Sequence, residues 1–208
     1  MEDTQTDRTR FVVGLGNPGR SYRRTRHNVG FKVAEELIRR WDADRGRKAF
    51  GGRLYEANAV RPVGRRRVMV LLPQTYMNRS GRAVGEMAGF YKARPADILV
   101  VMDDMALPLG RLRVRPGGSA GGHKGLGDVL AAVGANDVPR LRIGIGLPQD
   151  ATDAVDYVLA RFRKDELETI ERAIRLAADA VEDWVFMDIE FAMEKYNRRN
   201  ESARTTND

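Results

Sequence analysis

Short apolar runs alternate with segments of helical periodicity along most of the chain. Apolar runs and strict apolar–polar alternation predict β-strands, because side chains along a strand repeat every two residues. The predicted strands cover residues 11–13, 53–60, 67–72, 97–102, 111–115 and 141–145. The strand over 97–102 is apolar from Ile98 to Met102 and ends at Asp103 and Asp104, which is typical of a buried strand.

Apolar residues three or four positions apart predict the helices. The first runs from Asn28 to about Trp41, with Val29, Val33 and Leu37 on one face. A second begins at Ser80, which we expect to be its N-cap. The others cover residues 126–133, 167–184 and 191–196. Strands that alternate with helices predict a single α/β domain around one sheet, here over residues 10–197. Residues 1–9 and 198–208 are polar and aperiodic, which favours loose tails.

The net charge of the chain indicates which class of binding partner to expect. The 208 residues carry a formal net charge of +7, and 30 of the 36 basic residues are arginine. Arginine binds phosphate bidentately, which favours a nucleic-acid partner; an arginine-rich proteome with a solvated basic surface is the alternative. The absence of cysteine excludes thiol chemistry and fits a cytoplasmic location. No apolar run is long enough to span a membrane.

Only two histidines occur, His27 and His123, and each lies in a glycine-flanked polar segment. Histidine is the side chain best suited to transfer protons near neutral pH. His27 could be a general base that activates water, with Asp103 at a strand end holding its other nitrogen. The alternative is a surface histidine at a helix N-terminus. Asn78 could stabilise an oxyanion or be an ordinary residue before a helix.

Three motifs resemble known sites but lack the required context. Residues 14–19 match G-x-G-x-x-G, yet no helix follows directly, so we expect a tight turn that presents Asn17 instead of a nucleotide site. Residues 117–121 match G-x-S-x-G, but the only later histidine is four residues beyond Ser119. The segment around Lys124 lacks the spacing of a P-loop. Two histidines without matching acid spacing make a poor metal site, so we expect neither metal nor cofactor.

Several ordered motifs together resemble the bacterial peptidyl-tRNA hydrolase family over about residues 10–197. They lie at residues 13–19, 22–31, 73–81, 99–110, 118–126, 140–146, 156–162 and 192–197. The resemblance implies a mixed, twisted sheet flanked by helices on both faces, a monomer without metal, and cleavage of the ester between a peptide and the terminal ribose of tRNA.

The resemblance also implies roles for individual residues. His27 would be the catalytic base and Asp103 its partner. The residues expected to bind the peptidyl-tRNA are Asn17, Tyr22, Tyr76, Met77, Asn78, Arg115, His123, Lys124 and Arg142. Among them, Asn17 and Asn78 would position the substrate, Tyr22 would contact the tRNA end, and Arg115 with Arg142 would bind phosphate near its 5′ end.

Two positions depart from the family pattern. Lys124 stands where many members have asparagine, and a lysine is a cation with no acceptor. Met102 replaces a histidine that is common before the aspartate. A non-catalytic RNA-binding relative is therefore the main alternative, although the presence of His27, Asp103, Asn17 and Asn78 together argues against it.

Overall fold

One seven-stranded sheet forms the centre of the fold in a computed structural model that describes residues 8–147 and 154–198. The strands are β1 (Arg10–Gly14), β2 (Arg47–Ala49), β3 (Gly52–Arg61), β4 (Gly64–Pro73), β5 (Ile98–Asp104), β6 (Leu112–Arg115) and β7 (Arg140–Gly144). The helices are α1 (Val29–Arg40), α2 (Ser80–Tyr91), α3 (Lys124–Val133), α4 (Ala154–Leu159), α5 (Leu167–Phe186) and α6 (Ile189–Arg198).

The sheet is mixed, with the strand order β2-β3-β4-β1-β5-β7-β6. The four neighbouring strands β4, β1, β5 and β7 are parallel. Antiparallel strands lie on both sides of them, β2 and β3 at one edge and β6 at the other. The parallel strands end at the same edge of the sheet, which is where ligands bind in open α/β folds.

Two apolar layers hold the helices on opposite faces of the sheet. Alternate residues of β1 enter different layers: Val12 packs with α1 and α5, whereas Phe11 and Val13 pack with α2 and α3. The same alternation continues in β5, where Leu99 and Val100 point to opposite faces. This pattern explains why the central strands read as continuous apolar runs, since both of their faces are buried.

The α/β class, the mixed sheet and the helices on both faces are confirmed. The predicted strands and helices all occur, with ends displaced by a few residues. The three-residue β2 and the six-residue α4 were not predicted, because neither is long enough to show a period. The expected tails lie almost entirely outside the described residues. No helix in the described ranges has the length and hydropathy to cross a membrane.

The prediction that Ser80 caps α2 is wrong. Ser80 is the first residue of the helix, and its hydroxyl donates to the carbonyl of Met77 at 2.9 Å. A 3₁₀ turn over Met77–Arg79 precedes the helix and replaces a side-chain cap. Ser80 already has helical backbone angles, with φ −67° and ψ −28°, whereas an N-cap residue has the non-helical backbone that lets its side chain accept a helix N–H.

A glycine allows α1 to begin directly on the ends of two strands. A Cβ on Gly30 would collide with the carbonyl oxygen of Val101 and with the backbone of Leu15. The backbone N–H of Phe31 donates to Leu15 and that of Leu15 donates to Val101. The 3₁₀ turn over Arg26–Asn28, which carries His27, is therefore held at the carboxyl ends of β1 and β5.

Candidate active site

A cavity of about 900 Å³ lies at the carboxyl edge of the parallel strands. Its wall combines the segments that follow β1 and β4, the end of β5, the start of α3 and helix α4. All the predicted site residues except Tyr22 and Arg115 line it. Residues from distant parts of the chain thus meet in one concave site, as a substrate pocket requires.

His27 and Asp103 form a hydrogen-bonded pair in this cavity. Nδ1 of His27 lies 2.7 Å from Oδ1 of Asp103, whose carboxylate is 2% exposed. Burial alone would raise the pKa of Asp103, but hydrogen bonds from His123 and His27 outweigh it and lower the pKa below its ordinary value. The carboxylate is therefore ionised and accepts a hydrogen bond from Nδ1–H. This leaves Nε2 of His27 as the nitrogen that can accept a proton from substrate or water.

His123 donates to the same carboxylate oxygen from the opposite side. Its Nε2 lies 3.1 Å from Oδ1 of Asp103. Its Nδ1 accepts the backbone N–H of Leu126 at 3.1 Å, so the ring is the N-cap of α3. A ring that accepts at Nδ1 carries its proton at Nε2 when neutral, which assigns the donor in the bond to Asp103. The centroids of the two imidazole rings lie 5.3 Å apart.

Asn17 is held in place by its backbone and its side-chain oxygen. The amide of Asn28 bonds reciprocally with the backbone of Asn17, at 2.9 Å in each direction. The side-chain oxygen of Asn17 accepts the backbone N–H of Met77 at 2.8 Å. The Nδ2 group makes no hydrogen bond with a described residue, and Asn17 lines the cavity. A fixed amide N–H₂ is thus available to a substrate oxygen.

The segment after β4 forms the part of the wall next to Asn17. Asn78 is exposed and lines the cavity, and buried Met77 packs against Gly125, where a Cβ would collide with its sulfur. Tyr76 is 58% exposed, and its ring meets that of Tyr22 edge-on at 6.3 Å. Tyr22 is therefore placed beside the cavity mouth by Tyr76 and not in the lining itself.

The predicted phosphate-binding cations differ in their surroundings. Nε of Arg142 lies 2.6 Å from Oδ2 of Asp104, so this cavity residue is already ion-paired. Arg115 is exposed on the edge strand β6, away from the lining. Lys124 is exposed at the cavity wall and forms no ion pair with a described residue. Of these three predicted cations, it is the one most available to an anionic ligand in the cavity.

The structure agrees with the rejection of the G-x-S-x-G and G-x-G-x-x-G motifs as functional sites. Ser119 is exposed, does not line the cavity, and follows an edge strand, which does not match a nucleophile elbow. No helix follows β1 before Val29, so the glycine turn presents Asn17, as expected.

The fold places the carboxylate of Asp103 within hydrogen-bonding distance of both His27 and His123. The spacing of these residues in the sequence did not predict that both histidines share this acid. Ligand atoms of His27, Asp103 and His123 lie within 4.8 Å of one another, the one such group among the described residues. A metal on Nε2 of His123 would require its proton to move to Nδ1, opposite the N–H of Leu126. The helix cap therefore opposes metal binding by this histidine.

Arg26 is a positioning residue that the sequence analysis missed. The guanidinium of this buried arginine lies 2.8 Å from Glu166 and stacks over Tyr157 at 4.5 Å and Phe162 at 4.8 Å. Its backbone N–H donates to Ala160. The turn carrying His27 is thereby attached to α4, which forms one wall of the cavity.

Arg140 is a second missed residue, and it anchors the glycine-rich loop. Its buried guanidinium donates to the carbonyls of Gly118 and Ser119 at 2.6 and 3.1 Å, and to those of Asn136 and Val138. Because these hydrogen bonds fix the start of the loop, residues 120–123 are held at the cavity wall.

A comparison with protein-family models matches residues 11–204 to the family described as peptidyl-tRNA hydrolase. The chain belongs to the peptidyl-tRNA hydrolase family. The resemblance drawn from the motifs is thus confirmed.

Individual members of the family are similar over nearly the whole chain. The peptidyl-tRNA hydrolase of Rhodopirellula baltica is 47% identical over 188 residues, which cover 90% of this chain and 97% of the relative. That of Clostridium botulinum strain Alaska E43 is 42% identical over 187 residues, covering 90% and 95%. The crystal structure of the family member from Acinetobacter baumannii superposes with a TM-score of 0.83 at 35% identity, covering 91% of this chain and 94% of that one.

Proposed function

We propose that the chain hydrolyses the ester that joins a peptide, or an N-blocked amino acid, to the 3′-terminal ribose of tRNA. The observation that carries the proposal is the His27–Asp103 pair in the cavity, with Nε2 of His27 left to accept a proton. Membership of the peptidyl-tRNA hydrolase family supports the same reaction. We expect the unit that performs it to be residues 10–197, acting as a monomer in the cytoplasm.

In the proposed mechanism, Nε2 of His27 removes a proton from a water molecule as its oxygen attacks the ester carbonyl carbon. Asp103 stabilises the imidazolium that forms. The tetrahedral intermediate then collapses, the bond from the carbonyl carbon to the ribose oxygen breaks, and the imidazolium returns its proton to that oxygen. The products are a peptide carboxylic acid, which releases its proton to solvent, and a tRNA with a free terminal hydroxyl, and the chemistry requires no covalent intermediate and no metal.

The amides of Asn17 and Asn78 are proposed to hold the substrate. Nδ2 of Asn17 makes no hydrogen bond with a described residue, and Asn78 lines the same cavity directly after Met77, which donates to Asn17. Donors fixed near the reacting carbonyl stabilise the oxyanion more in the transition state than in the ground state. Because amides can bind the peptide backbone, substrates with different side chains would all be accepted.

The RNA part of the substrate is proposed to lie toward the exposed cations and tyrosines. Tyr22 and Tyr76 would contact the tRNA end, and His123 with Lys124 would line its path. Arg115 and Arg142 would bind phosphates, which add affinity without reading sequence. Arg142 would do so while ion-paired with Asp104.

The test is release of free tRNA from N-acetyl-aminoacyl-tRNA, with EDTA present and a polyamine to keep the RNA folded. We expect cleavage by the wild type and a loss of about 100-fold or more in His27→Ala, because a general base is removed. Near-normal turnover of His27→Ala would contradict the assignment. Tight tRNA binding without cleavage by the wild type would favour the non-catalytic RNA-binding alternative, which the family comparison does not favour.

A further inference from the structure

Three aromatic side chains cluster at the end of α2 that lies away from the cavity. The ring centroids of Phe50 and Phe90 lie 5.3 Å apart, those of Phe90 and Tyr91 5.0 Å, and those of Phe50 and Tyr91 6.0 Å. Phe90 is nevertheless 71% exposed. We call Phe50, Phe90 and Tyr91 the aromatic cluster. It presents ring surface to solvent while Tyr91 also contacts Phe11 of the core.

Phe50 occupies a backbone position that disfavours it. It stands in the two-residue turn between β2 and β3 with a φ of 53°, followed by Gly51 with a φ of 62°. Hairpin turns with two left-handed residues favour asparagine or glycine at the first position, and a bulky residue there is an outlier. Backbone strain of this kind gathers at functional sites. The contacts of the Phe50 ring with Phe90 and Tyr91, and with the core, offset this strain.

Two exposed cations lie beside the aromatic cluster. Arg47 and Lys92 are exposed and form no ion pair with a described residue. Arg47 donates to the hydroxyl of Tyr91 at 3.1 Å, so its charge lies beside the rings. The acid one turn before Phe90 on α2, Glu86, is already paired with a neighbouring arginine at 2.9 Å. Available positive charge beside exposed rings fits an anionic partner with flat apolar groups.

The aromatic cluster is linked to the cavity by two structural connections. The exposed face of α2 leads from Arg79, a cavity residue, to Phe90, about 16 Å along the helix axis. The β2–β3 turn abuts the segment before Tyr76, since the N–H of Gln74 donates to the carbonyl of Gly51 at 2.9 Å. A polymer whose end is held in the cavity can therefore extend to the aromatic cluster.

We propose that the aromatic cluster, with Arg47 and Lys92, binds unpaired nucleotides of the RNA substrate outside the cavity. This inference rests on the proposed function, because it takes tRNA to be that substrate. Aromatic rings stack on any nucleobase, and adjacent cations bind the backbone phosphates, so the contact is tolerant of sequence and sensitive to salt. The surface would add affinity for the RNA and take no part in the chemical step.

The first test measures RNA binding without hydrolysis, using a fluorescent single-stranded RNA that ends in CCA and deacylated tRNA. We expect Phe90→Ala to weaken binding about fivefold or more and Phe90→Trp to restore it, because stacking needs a ring and not phenylalanine itself. Val60→Ala is the matched control, since Val60 is 65% exposed and lies near the other end of β3. Lys92→Gln should lower the salt dependence of binding by one phosphate contact.

The second test distinguishes whether the aromatic cluster binds the RNA part or the peptide part of the substrate. KM is measured for N-acetyl-aminoacyl-tRNA and for the same ester on a CCA trinucleotide, with kcat expected to be unchanged in Phe90→Ala. A raised KM on the full tRNA alone supports the proposal. Unchanged RNA binding, or a KM defect that follows the size of the peptide, would overturn it. Because binding is measured on deacylated RNA, failure of the hydrolase assignment would appear separately, as lack of turnover by the wild type.

Discussion

The backbone N–H of Leu126 donates to Nδ1 of His123, and this one bond gives the second histidine two functions. It caps helix α3, and it fixes the proton of the neutral ring on Nε2, where it is donated to Asp103. Asp103 thus receives two N–H donors while fully buried, which lowers its pKa despite burial. The carboxylate remains ionised and orients His27 without becoming a proton carrier itself.

Two substitutions of His123 should separate the cap from the hydrogen bond to Asp103. His123→Ala removes both, so we expect a loss of about 1 kcal/mol in the free energy of unfolding and a lower kcat. His123→Asn keeps a good capping residue but loses the hydrogen bond to Asp103. It should therefore be more stable than His123→Ala by about 1 kcal/mol in urea and share the lower kcat. Equal stability of the two variants would contradict the capping function.

Arg26 should contribute more to the free energy of unfolding than the other arginines of its sequence segment. Arg26→Met removes the buried cation that pairs with Glu166 and leaves only the exposed Arg163 as an ion-pair partner, at 3.7 Å, so we expect a loss of about 3 kcal/mol in urea unfolding. Turnover should also fall, because the turn that carries His27 loses its attachment to α4. The double variant Arg26→Met with Glu166→Gln removes the poorly compensated charge and should recover part of the stability. If it recovers none, the ion pair is not the cause.

The main chemistry of the site could be predicted from the sequence because it follows the ends of strands. Asp103 ends an unmistakable buried run, and Asn17 follows the first strand, so parallel topology brings them to one edge. Once a base on His27 is assumed, Asp103 is the natural partner. The family motifs identified the remaining residues of the site, including those in the segment around Asn78.

The contacts that hold these residues could not be predicted in the same way. Arg26 belongs to an arginine-rich stretch and reads as one more exposed cation, since its partner Glu166 lies 140 residues away in the sequence. The bonds of Asn28 to Asn17 depend on the direction of a 3₁₀ turn that has no periodic signal. A buried polar side chain needs hydrogen-bond partners, and the hydrophobic pattern of the sequence does not identify those partners.

Lys124 should act on the RNA part of the substrate and not on the chemical step. It lies at the cavity wall without an ion-pair partner among the described residues. We expect Lys124→Asn to raise KM for N-acetyl-aminoacyl-tRNA with kcat nearly unchanged, and to reduce the slope of log KM against log salt by about one contact. Lys124→Arg keeps the charge and is the control. A fall in kcat with an unchanged salt slope would instead indicate a direct contact with the reacting carbonyl.

The attachment of α6 to α5 should weaken in acid because it depends on Asp183. This buried carboxylate accepts bonds from Arg61, Lys195 and Tyr196 at 2.6 to 2.7 Å. Burial would raise the pKa of Asp183, but the hydrogen bonds from Lys195, Tyr196 and Arg61 outweigh it and lower the pKa. A carboxyl whose pKa is lower in the folded than in the unfolded state stabilises the fold above the unfolded pKa. That stability is lost as the pH falls through the folded pKa.

The corresponding measurement is urea unfolding of the wild type and Asp183→Asn between pH 7 and pH 3. At pH 7 we expect the variant to be less stable by about 2 kcal/mol, since it loses charge-assisted hydrogen bonds. The difference should stay constant down to about pH 4, near the unfolded pKa of aspartate, and then shrink. Asp179→Asn is the control: that carboxylate is half-exposed and pairs with Arg40, so its loss should cost less than about 1 kcal/mol at any pH. A difference between wild type and Asp183→Asn that persists unchanged at pH 3 would show that the carboxylate acts through packing and not through its charge.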